Sequence, residues 1–308
     1  MYSSPNGPLC SRCNQQFQSR IHQHNYRPQT FIFRGKPPFY GIEIEVDGFP
    51  TVHTQHTKTI IETFSPKEEL FYIKRDGSLQ NGFELVFHPR DVSSWVELSP
   101  QLEPIMAHLV KIGGKASSID TCGFHVHRSK NDLTRLTQTK LWILLKWCKD
   151  QLVLASRRIN SRHASWTPID NSFGRMPLSQ KSMHRLLKKY GWRSVKHNIH
   201  KEVRYQCINF GSNRDTIEFR MYKGSIFTPT ILGYIGLSHY LVEFAKDTLL
   251  SDICQPGTWD RFTNYLFTKR NRWKKSHYPL IEETLSLLTQ CTVGHPHFKN
   301  PITEWKEV

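Results

Sequence analysis

The chain has 308 residues, 38% of them apolar, which is enough for one large domain or two ordinary ones without disulfide bonds. It contains no apolar run of the ~18 residues that a membrane span needs, no secretory signal pattern, and seven cysteines without a disulfide framework, so we expect a cytoplasmic protein that does not bind membranes. Lys and Arg outnumber Asp and Glu by 42 to 26, and the net charge of +16 favours a polyanionic partner, either nucleic acid or a nucleoside triphosphate.

Residues 1–36 differ in character from residues 37–308, which we expect to form the main domain. The N-terminal segment contains four candidate zinc ligands, namely Cys10, Cys13, His22 and His24. The two cysteines have the spacing of half a zinc site, but a single residue separates the histidines, where common zinc fingers have about three to five. The segment is predicted to be either a small structural zinc knuckle or a leader with incidental cysteines.

The stretch FYGIEIEVD, residues 39–47, is predicted to be a strand because aliphatic and polar residues alternate along it. Side chains of a strand point alternately to its two faces, so Glu43 and Glu45 share one face and the aliphatic residues share the other. The two carboxylates are either a solvated pair or ligands of a divalent cation, which offsets their charge if the strand is buried.

A hairpin-like unit follows a short predicted helix at 57–64. Strands are predicted at 71–74 and 83–87, joined by turn residues that include Asp76. Glu84 lies inside the second strand. Asp76 is either a site residue or a plain turn residue, and Glu84 is either a ligand or half of a cross-strand ion pair with a lysine.

Two histidines mark the next predicted strand. A helix is predicted from Ser99, where a serine cap precedes a proline, to residue 112. It leads to the strand CGFHVHRS at 122–129, which places His125 and His127 on one face. Two imidazoles two residues apart, in a chain that also has paired glutamates, favour a metal or phosphate role.

The remaining helices are predicted to be scaffold. Apolar spacing predicts an amphipathic helix at 139–155 and further helices at about 229–250, 258–268 and 277–290. The basic segment 160–200 is punctuated by Gly and Pro and is interpreted as an insertion or a lid over the active face.

Two more strands are predicted at 203–210 and 215–222. In the second strand Glu218 and Arg220 share a face, and they either pair with each other or join a site. Four strands would then present ionisable groups on one face. Oxygen ligands with one or two imidazoles suit Mg²⁺ or Mn²⁺ better than zinc, and no glycine-rich phosphate loop is present, so an ATP site would rely on metals and arginines.

The order and spacing of these motifs resemble the amidoligase branch, common in bacteriophages and bacteria, of the glutamine synthetase and γ-glutamylcysteine ligase superfamily. The motifs that carry the resemblance are GIEIE at 41–45, KRDGSL at 74–79, FELVFHP at 83–89, CGFHVHRS at 122–129 and NRDTIEFRMYKGS at 213–225. The resemblance implies an α+β fold, with a curved antiparallel sheet that forms a half-barrel and helices on its outer face. It would place a phage-encoded protein in the cytoplasm of the bacterial host.

The resemblance also implies a function and a set of site residues. It implies an ATP-dependent ligase that joins a small-molecule or peptide carboxylate to an amine through an acyl phosphate. The implied ligands of Mg²⁺ or Mn²⁺ are Glu43, Glu45, Glu84, His125 and Glu218. Asp76, His127 and Arg220 are implied to contact ATP, with His127 at a phosphate and Arg220 at the transferred γ-phosphoryl group. The glutamine synthetase loops that hold ammonia and glutamate have no counterpart here, so the substrates stay unspecified.

A different class of function is a basic nucleic-acid-binding protein with an N-terminal zinc knuckle. It rests on the net charge, on Cys10 and Cys13, and on local basic stretches at 185–204 and 269–275. It is disfavoured because glutamates gathered on one face would repel phosphate unless a metal were present.

Overall fold

The computed structural model describes residues 21–50, 54–158, 207–210, 215–272 and 278–292. Its strands are β1 (Tyr40–Val46), β2 (Phe71–Lys74), β3 (Phe83–Arg90), β4 (Gly123–Ser129), β5 (Ile208–Asn209) and β6 (Thr216–Lys223). The helices in these ranges are α1 (Thr54–Phe64), α2 (Val92–Lys111), α3 (Arg135–Trp147), α4 (Lys149–Ala155), α5 (Thr228–Asp247), α6 (Leu250–Ile253), α7 (Thr258–Arg272) and α8 (Tyr278–Thr292). None of these helices has both the length and the apolarity to cross a membrane.

The strands form one open sheet in the order β2-β3-β1-β4-β6-β5, and every neighbouring pair is antiparallel. The register shifts by one residue between Tyr40 and Ile42 and again between Phe124 and Val126. Irregularities of this kind bend a strand and increase its twist. The predicted α+β fold, with a curved antiparallel sheet and helices on its outer face, is confirmed.

The two faces of the sheet have opposite character, as the alternation in β1 predicts. Ile42, Ile44 and Val46 point to the helix side, where they are fully buried in one core with side chains of α2 and α5 such as Trp95 and Leu241. The indole Nε1–H of Trp95 donates to the carbonyl of Tyr40 at 2.9 Å, which fixes α2 against β1. Residues at alternate positions of β1 point to the other face, where Glu43 and Glu45 lie.

Helix α2 begins earlier than predicted, so the assignment of Ser99 as its cap is wrong. Asp91 is the cap and accepts the N–H of Ser94 at 2.8 Å. Pro100 lies inside the helix and lacks the N–H that would donate to the carbonyl of Val96. The hydroxyl of Ser99 donates to that carbonyl at 2.7 Å instead, which is how the helix tolerates a proline in its third turn.

The helix predicted at 139–155 is two helices, α3 and α4, which meet at Cys148 (φ −99°, ψ 24°). Helix α3 also starts earlier, because Thr134 caps it by accepting the N–H of Thr137 at 3.1 Å. The three later helices lie close to their predicted ranges. The predicted lid at 160–200 falls outside the described residues.

The described part of the N-terminal segment, residues 21–36, pairs with both ends of the β2–β3 hairpin. His22 bridges to Lys74, and its N–H donates to the carbonyl of Ile73 at 2.9 Å. Arg34 bridges to Arg90, with the N–H of Arg34 donating to Pro89 at 3.1 Å. This segment therefore forms one wall above the polar face of the sheet.

Candidate active site

The sheet register brings together the ionisable residues of five strands. Glu45 lies opposite Glu84, Glu43 lies opposite His125, and His127 lies opposite Glu218. Because β1 lies between β3 and β4, it connects the glutamate of the hairpin to the histidines. Seven of the eight residues implied as metal or ATP contacts lie together on this face; the eighth, Asp76, lies in the β2–β3 turn that borders it.

Glu43 lies at the centre of this cluster and is only 8% exposed. His127 Nε2 is 3.2 Å from its Oε1, and His125 Nδ1 is 3.4 Å from its Oε2. Burial opposes ionisation of Glu43, but His127, His125 and Lys74 together outweigh burial and hold the pKa of this carboxyl well below its usual range. The neighbouring cation and histidines therefore favour the charged form of Glu43.

Glu84 and Lys74 form a cross-strand pair beside Glu43. Lys74 Nζ is 2.9 Å from Glu84 Oε2 and 3.5 Å from Glu43 Oε1. Burial, reinforced by the charge of Glu43, raises the pKa of Glu84 well above its usual range in spite of Lys74. For Lys74, burial is outweighed by the two glutamates, and its pKa is raised. One ammonium thus serves two carboxylates that repel each other.

Glu45 occupies the other side of Glu84 and accepts the backbone N–H of Gly123. Its Oε1 is 3.7 Å from His125 Nε2. Burial is the largest influence and raises the pKa of Glu45, although His125 opposes this shift. A Cβ at Gly123 would lie 2.8 Å from Arg158 Nη2 and 3.2 Å from Glu45 Oε2, so glycine is what allows this arginine to approach the cluster.

Glu218 and Arg220 extend from β6 into the same cluster. They form a direct ion pair, and Glu218 Oε1 also lies 3.9 Å from both His125 Nδ1 and His127 Nε2. Burial opposes the charge of Glu218, but His127 and Arg220 outweigh it and lower the pKa of Glu218. Among the described residues, the buried Nε of Arg220 has no hydrogen-bond acceptor. A guanidinium with donor capacity left over suits an anionic ligand.

Two overlapping groups of three side chains have the geometry of a cation site. They are Glu43, Glu84 and His125, and Glu43, His127 and Glu218. In each group the ligand atoms lie within 4.8 Å of one another. Carboxylate oxygens with one imidazole suit Mg²⁺ or Mn²⁺, and a shared Glu43 would let one carboxylate serve two ions. The residues present therefore fit divalent metal.

These side chains form the floor of a cavity of about 1960 Å³, far larger than the ~300–1,000 Å³ of ordinary small-molecule sites. Its walls are the N-terminal segment and the turn between β2 and β3. Asp76 lies in that turn and accepts the N–H of Ser78 at 2.7 Å. Asp76 therefore acts as a turn residue and also lines the cavity.

Comparison with known proteins assigns the chain to a family. Residues 73–242, more than half of the chain, match the family model described as "Putative amidoligase enzyme". The chain belongs to this amidoligase family. No curated protein matches it. The matched region begins within β2, so Glu43 and Glu45 of β1 lie outside it and enter the site through the pairing of β1 with β3 and β4.

Two cations at the candidate site were not among the predicted site residues. Lys74 contacts Glu43 and Glu84. The contact with Glu84 is the cross-strand ion pair with a lysine that was one of the two interpretations of that residue. This pair could have been predicted from the alternation of side chains along β2 and β3, since Lys74 lies opposite Glu84. Arg158 follows α4, and its Nε donates to the carbonyl of Tyr222 at 3.0 Å. No local pattern marks Arg158, because its position depends on where α4 ends.

The zinc ligands predicted in the N-terminal segment are only half described. His22 Nε2 lies 2.8 Å from Glu68 Oε1, and its ring stacks on Tyr26 at 3.4 Å. His24 is exposed. Cys10 and Cys13 fall outside the described residues, so the zinc knuckle and the boundary at residue 36 stay predictions.

The nucleic-acid alternative also stays a prediction, since the stretch 185–204 lies outside the described residues. In the described part of the 269–275 stretch, Lys269 Nζ lies 3.2 Å from Asp247 Oδ2 and 4.9 Å from the ring centroid of Tyr265. Arg270 pairs with Glu282. These two cations already have acidic partners within the chain.

Proposed function

We propose that this amidoligase uses ATP and Mg²⁺ or Mn²⁺ to join a carboxylate to an amine through an acyl phosphate. The observation that carries the proposal is the pair of overlapping ligand groups that share Glu43, on the floor of a cavity that also contains Arg220. The family assignment supports a ligase in general. The dependence on ATP is our inference from the chemistry of the ligand groups.

The proposed metal ligands are Glu43, Glu84, His125 and Glu218, with Glu45 beside them. Divalent metal would supply neutralisation of phosphate charge and a fixed orientation for the triphosphate. Glu84 has a raised pKa and holds a proton more readily than Glu43, so it is expected to lose that proton when a cation displaces Lys74.

The proposed reaction has two steps. An oxygen of the substrate carboxylate attacks the γ-phosphorus of ATP, the bond to the β,γ-bridging oxygen breaks, and ADP leaves. The amine nitrogen then attacks the acyl carbon, phosphate leaves, and the nitrogen loses a proton to water. The products are one amide, ADP and phosphate. No protein nucleophile is needed, so the chain has to provide orientation and charge.

Arg220 and His127 are the proposed catalytic residues. Arg220 lies on the cavity floor with unused donor capacity, and a guanidinium matches the spread of charge over a transferring phosphoryl group. His127 lies between Glu43 and Glu218 and is proposed to donate to a phosphate oxygen. Asp76 is proposed to border the bound nucleotide from the turn above.

The size of the cavity supports a reaction with two organic substrates besides ATP. A volume of about 1960 Å³ exceeds what one nucleotide requires. Its lining combines carboxamide and hydroxyl side chains such as Asn209 and Ser129 with the charged floor. We propose that the acid and the amine are small molecules or peptide ends that enter along this lining.

The test is product analysis of the purified chain with ATP, Mg²⁺ and a metabolite extract. We expect ADP and phosphate to form together with a new mass that equals an acid plus an amine less water. Formation of AMP and pyrophosphate would contradict the acyl-phosphate route, because those are the products of an adenylate. Absence of any nucleotide turnover across broad acid and amine pools would contradict the ligase proposal.

A further inference from the structure

We propose that Phe31, Phe33 and Phe39 form an aromatic shelf that stacks the base of the bound nucleotide. This proposal rests on the proposed function, because it names the second half of the same ATP site. The shelf lines the same cavity as the carboxylate cluster, and Phe39 precedes Glu43 by four residues along the chain. All three residues precede the part of the chain that the family model matches.

The spacing along β1 places the shelf and the metal ligands on one face. Phe39, Gly41 and Glu43 follow each other at intervals of two residues, so their side-chain directions agree. The N–H of Phe39 donates to Ser129 Oγ at 3.0 Å, which continues the pairing of β1 with β4 to this point. From Glu45 to Phe39 the strand rises about 20 Å, a span that suits an extended nucleotide.

Gly41 lies between Phe39 and Glu43 and adds no side chain to the cavity floor. It lies opposite His127, and a Cβ placed there would have Phe87 O at 3.6 Å and His127 Cβ at 3.9 Å as its nearest neighbours. A side chain at this position would therefore fit without a clash but would project into the cavity. With glycine, no side chain of β1 stands between Phe39 and Glu43 on this face.

The shelf is held in place before any ligand binds. The N–H of Arg34 donates to Pro89 O at 3.1 Å, and the N–H of Asp91 donates to Arg34 O at 2.9 Å. The N–H of Lys36 donates to Asp91 Oδ2 at 2.7 Å. Gly35 has φ +85°, and a Cβ there would lie 2.1 Å from the Asp91 carboxylate, so the turn requires glycine. These contacts fix the backbone on both sides of Phe33.

The rings of Phe31 and Phe33 nevertheless stay exposed, and Phe39 is half-buried. Phe33 is 55% exposed and Phe31 38%, although Phe33 packs against Phe39 with ring centroids 4.9 Å apart. Exposed phenyl groups on an ordered backbone, beside a floor built for phosphate and metal, suit a planar ring whose charged tail lies on that floor. Stacking accepts any base, because every base has a π face.

The experiment compares ATP with tripolyphosphate, which has the three phosphates but lacks the ribose and the base. Calorimetric titration of the full chain with Mg²⁺-ATP and with Mg²⁺-tripolyphosphate separates the phosphate contribution from the rest of the nucleotide. We expect wild type to bind both, with ATP tighter. Phe33→Ala is expected to weaken ATP binding about tenfold and to leave tripolyphosphate binding unchanged. Phe33→Leu, which keeps apolar bulk without a π face, should lose most of the same affinity.

The matched control is Phe227→Ala, since Phe227 is 59% exposed and does not line the cavity. It should bind both ligands as wild type does. If Phe33→Ala and Phe33→Leu bind ATP as wild type does, the shelf does not hold the base and the inference is overturned while the ATP site stands. Equal losses for both ligands would overturn it too, as a general disturbance of the site. If wild type binds neither ligand, the proposed function fails and the shelf fails with it.

Discussion

Strand β4 contributes charged or ionisable residues to both faces of the sheet, and the two clusters that they join differ in charge balance. On the helix side, the fully buried Arg128 binds both carboxylate oxygens of Asp132 at 2.7 and 2.8 Å, and Lys246 lies 3.0 Å from the same carboxylate. Glu243 completes this group, which has two cations and two anions. On the cavity side, three further buried glutamates surround Glu43, and the single ammonium of Lys74 lies within 3.5 Å of both Glu43 and Glu84.

The comparison indicates that the charges of the Arg128 cluster stabilise the fold, whereas those of the Glu43 cluster suit the binding of a ligand. In the Arg128 cluster each formal charge has an opposite partner, so nothing further is required to stabilise it. In the Glu43 cluster, Lys74 serves two carboxylates at once, and pKa values diverge between neighbours. Unbalanced buried charge of this kind is typical of sites that bind a further ion. Each prediction below changes one of the two clusters, and the two that change the Glu43 cluster take a matched variant of the Arg128 cluster as their reference.

The largest effect is expected for Glu43→Gln. The substitution keeps the shape of the side chain but removes the carboxylate shared by both ligand groups, so Mg²⁺-dependent ATP turnover should fall by about 10²–10³-fold. Stability should change little, because Glu84 then has Lys74 as its own partner. Steady-state ADP release and urea unfolding measure the two properties.

The reference for that prediction is Glu243→Gln, the same chemical change on the helix side. Glu243 lies 3.6 Å from Arg128 and 3.2 Å from Lys246, and neither contact faces the cavity. We expect near-normal turnover and a small loss of stability. If turnover falls equally in Glu43→Gln and Glu243→Gln, the Glu43 cluster has no special role in turnover and the prediction is contradicted.

Arg128→Met should have the largest effect on stability. Arg128 has no exposed surface, and its loss leaves Asp132 and Glu243 with Lys246 in place of two cations. Breaking a fully buried pair typically costs about 3 kcal/mol, and the partial exposure of Asp132 reduces that cost, so we expect a loss of about 2 kcal/mol. The hydroxyl of Tyr40 also loses a donor at 3.3 Å. Urea unfolding measures the loss. A stability equal to wild type would mean that the cluster is replaceable by apolar packing.

Lys74→Met tests whether Lys74 competes with metal. Its ammonium lies among the proposed ligands, so its removal should make Mg²⁺ bind about tenfold more tightly in the absence of nucleotide, by the Coulombic repulsion removed. The Mg²⁺ dependence of the melting temperature measures this. Lys246→Met makes the same change on the helix side and should leave Mg²⁺ binding unaltered. Weaker Mg²⁺ binding in Lys74→Met would mean that Lys74 orients the carboxylates instead.

The sequence was sufficient to predict which groups share a face, but not how closely they approach. Alternation along β1 and β4 assigned Glu43, Glu45, His125 and His127 to one side because strand geometry is local. Their convergence depends on the strand order and on the register shifts, for instance the one between Phe124 and Val126. Those are settled by packing between distant segments, which local pattern does not record.

Helix ends show the same limit. Ser99 followed by Pro100 has the pattern of a helix start, yet the preceding turn is stabilised by the Asp91 cap and by the burial of Trp95. A proline inside a helix is tolerated here because a neighbouring hydroxyl takes over the missing donor. The start at Asp91 depends on the packing of Trp95 in the core, which the local pattern at Ser99 does not record.

The smallest predicted effect is the acid dependence of the balanced cluster. Burial works against the charge of Asp132, but Arg128 and Lys246 outweigh it and lower the pKa of Asp132 to about 2. Because the folded pKa lies below the unfolded value, this stabilisation is complete above the unfolded pKa of 3.8 and is lost as the pH falls through about 2. The carboxylate is partly exposed, so screening limits the effect to about 1 kcal/mol or less.

Urea unfolding of wild type and Asp132→Asn between about pH 5 and pH 2 measures this effect. The free energies of unfolding of the two proteins should converge as the pH falls towards about 2. A constant gap between them would mean that Asp132 stabilises the fold through shape and hydrogen bonding, with no contribution from its charge.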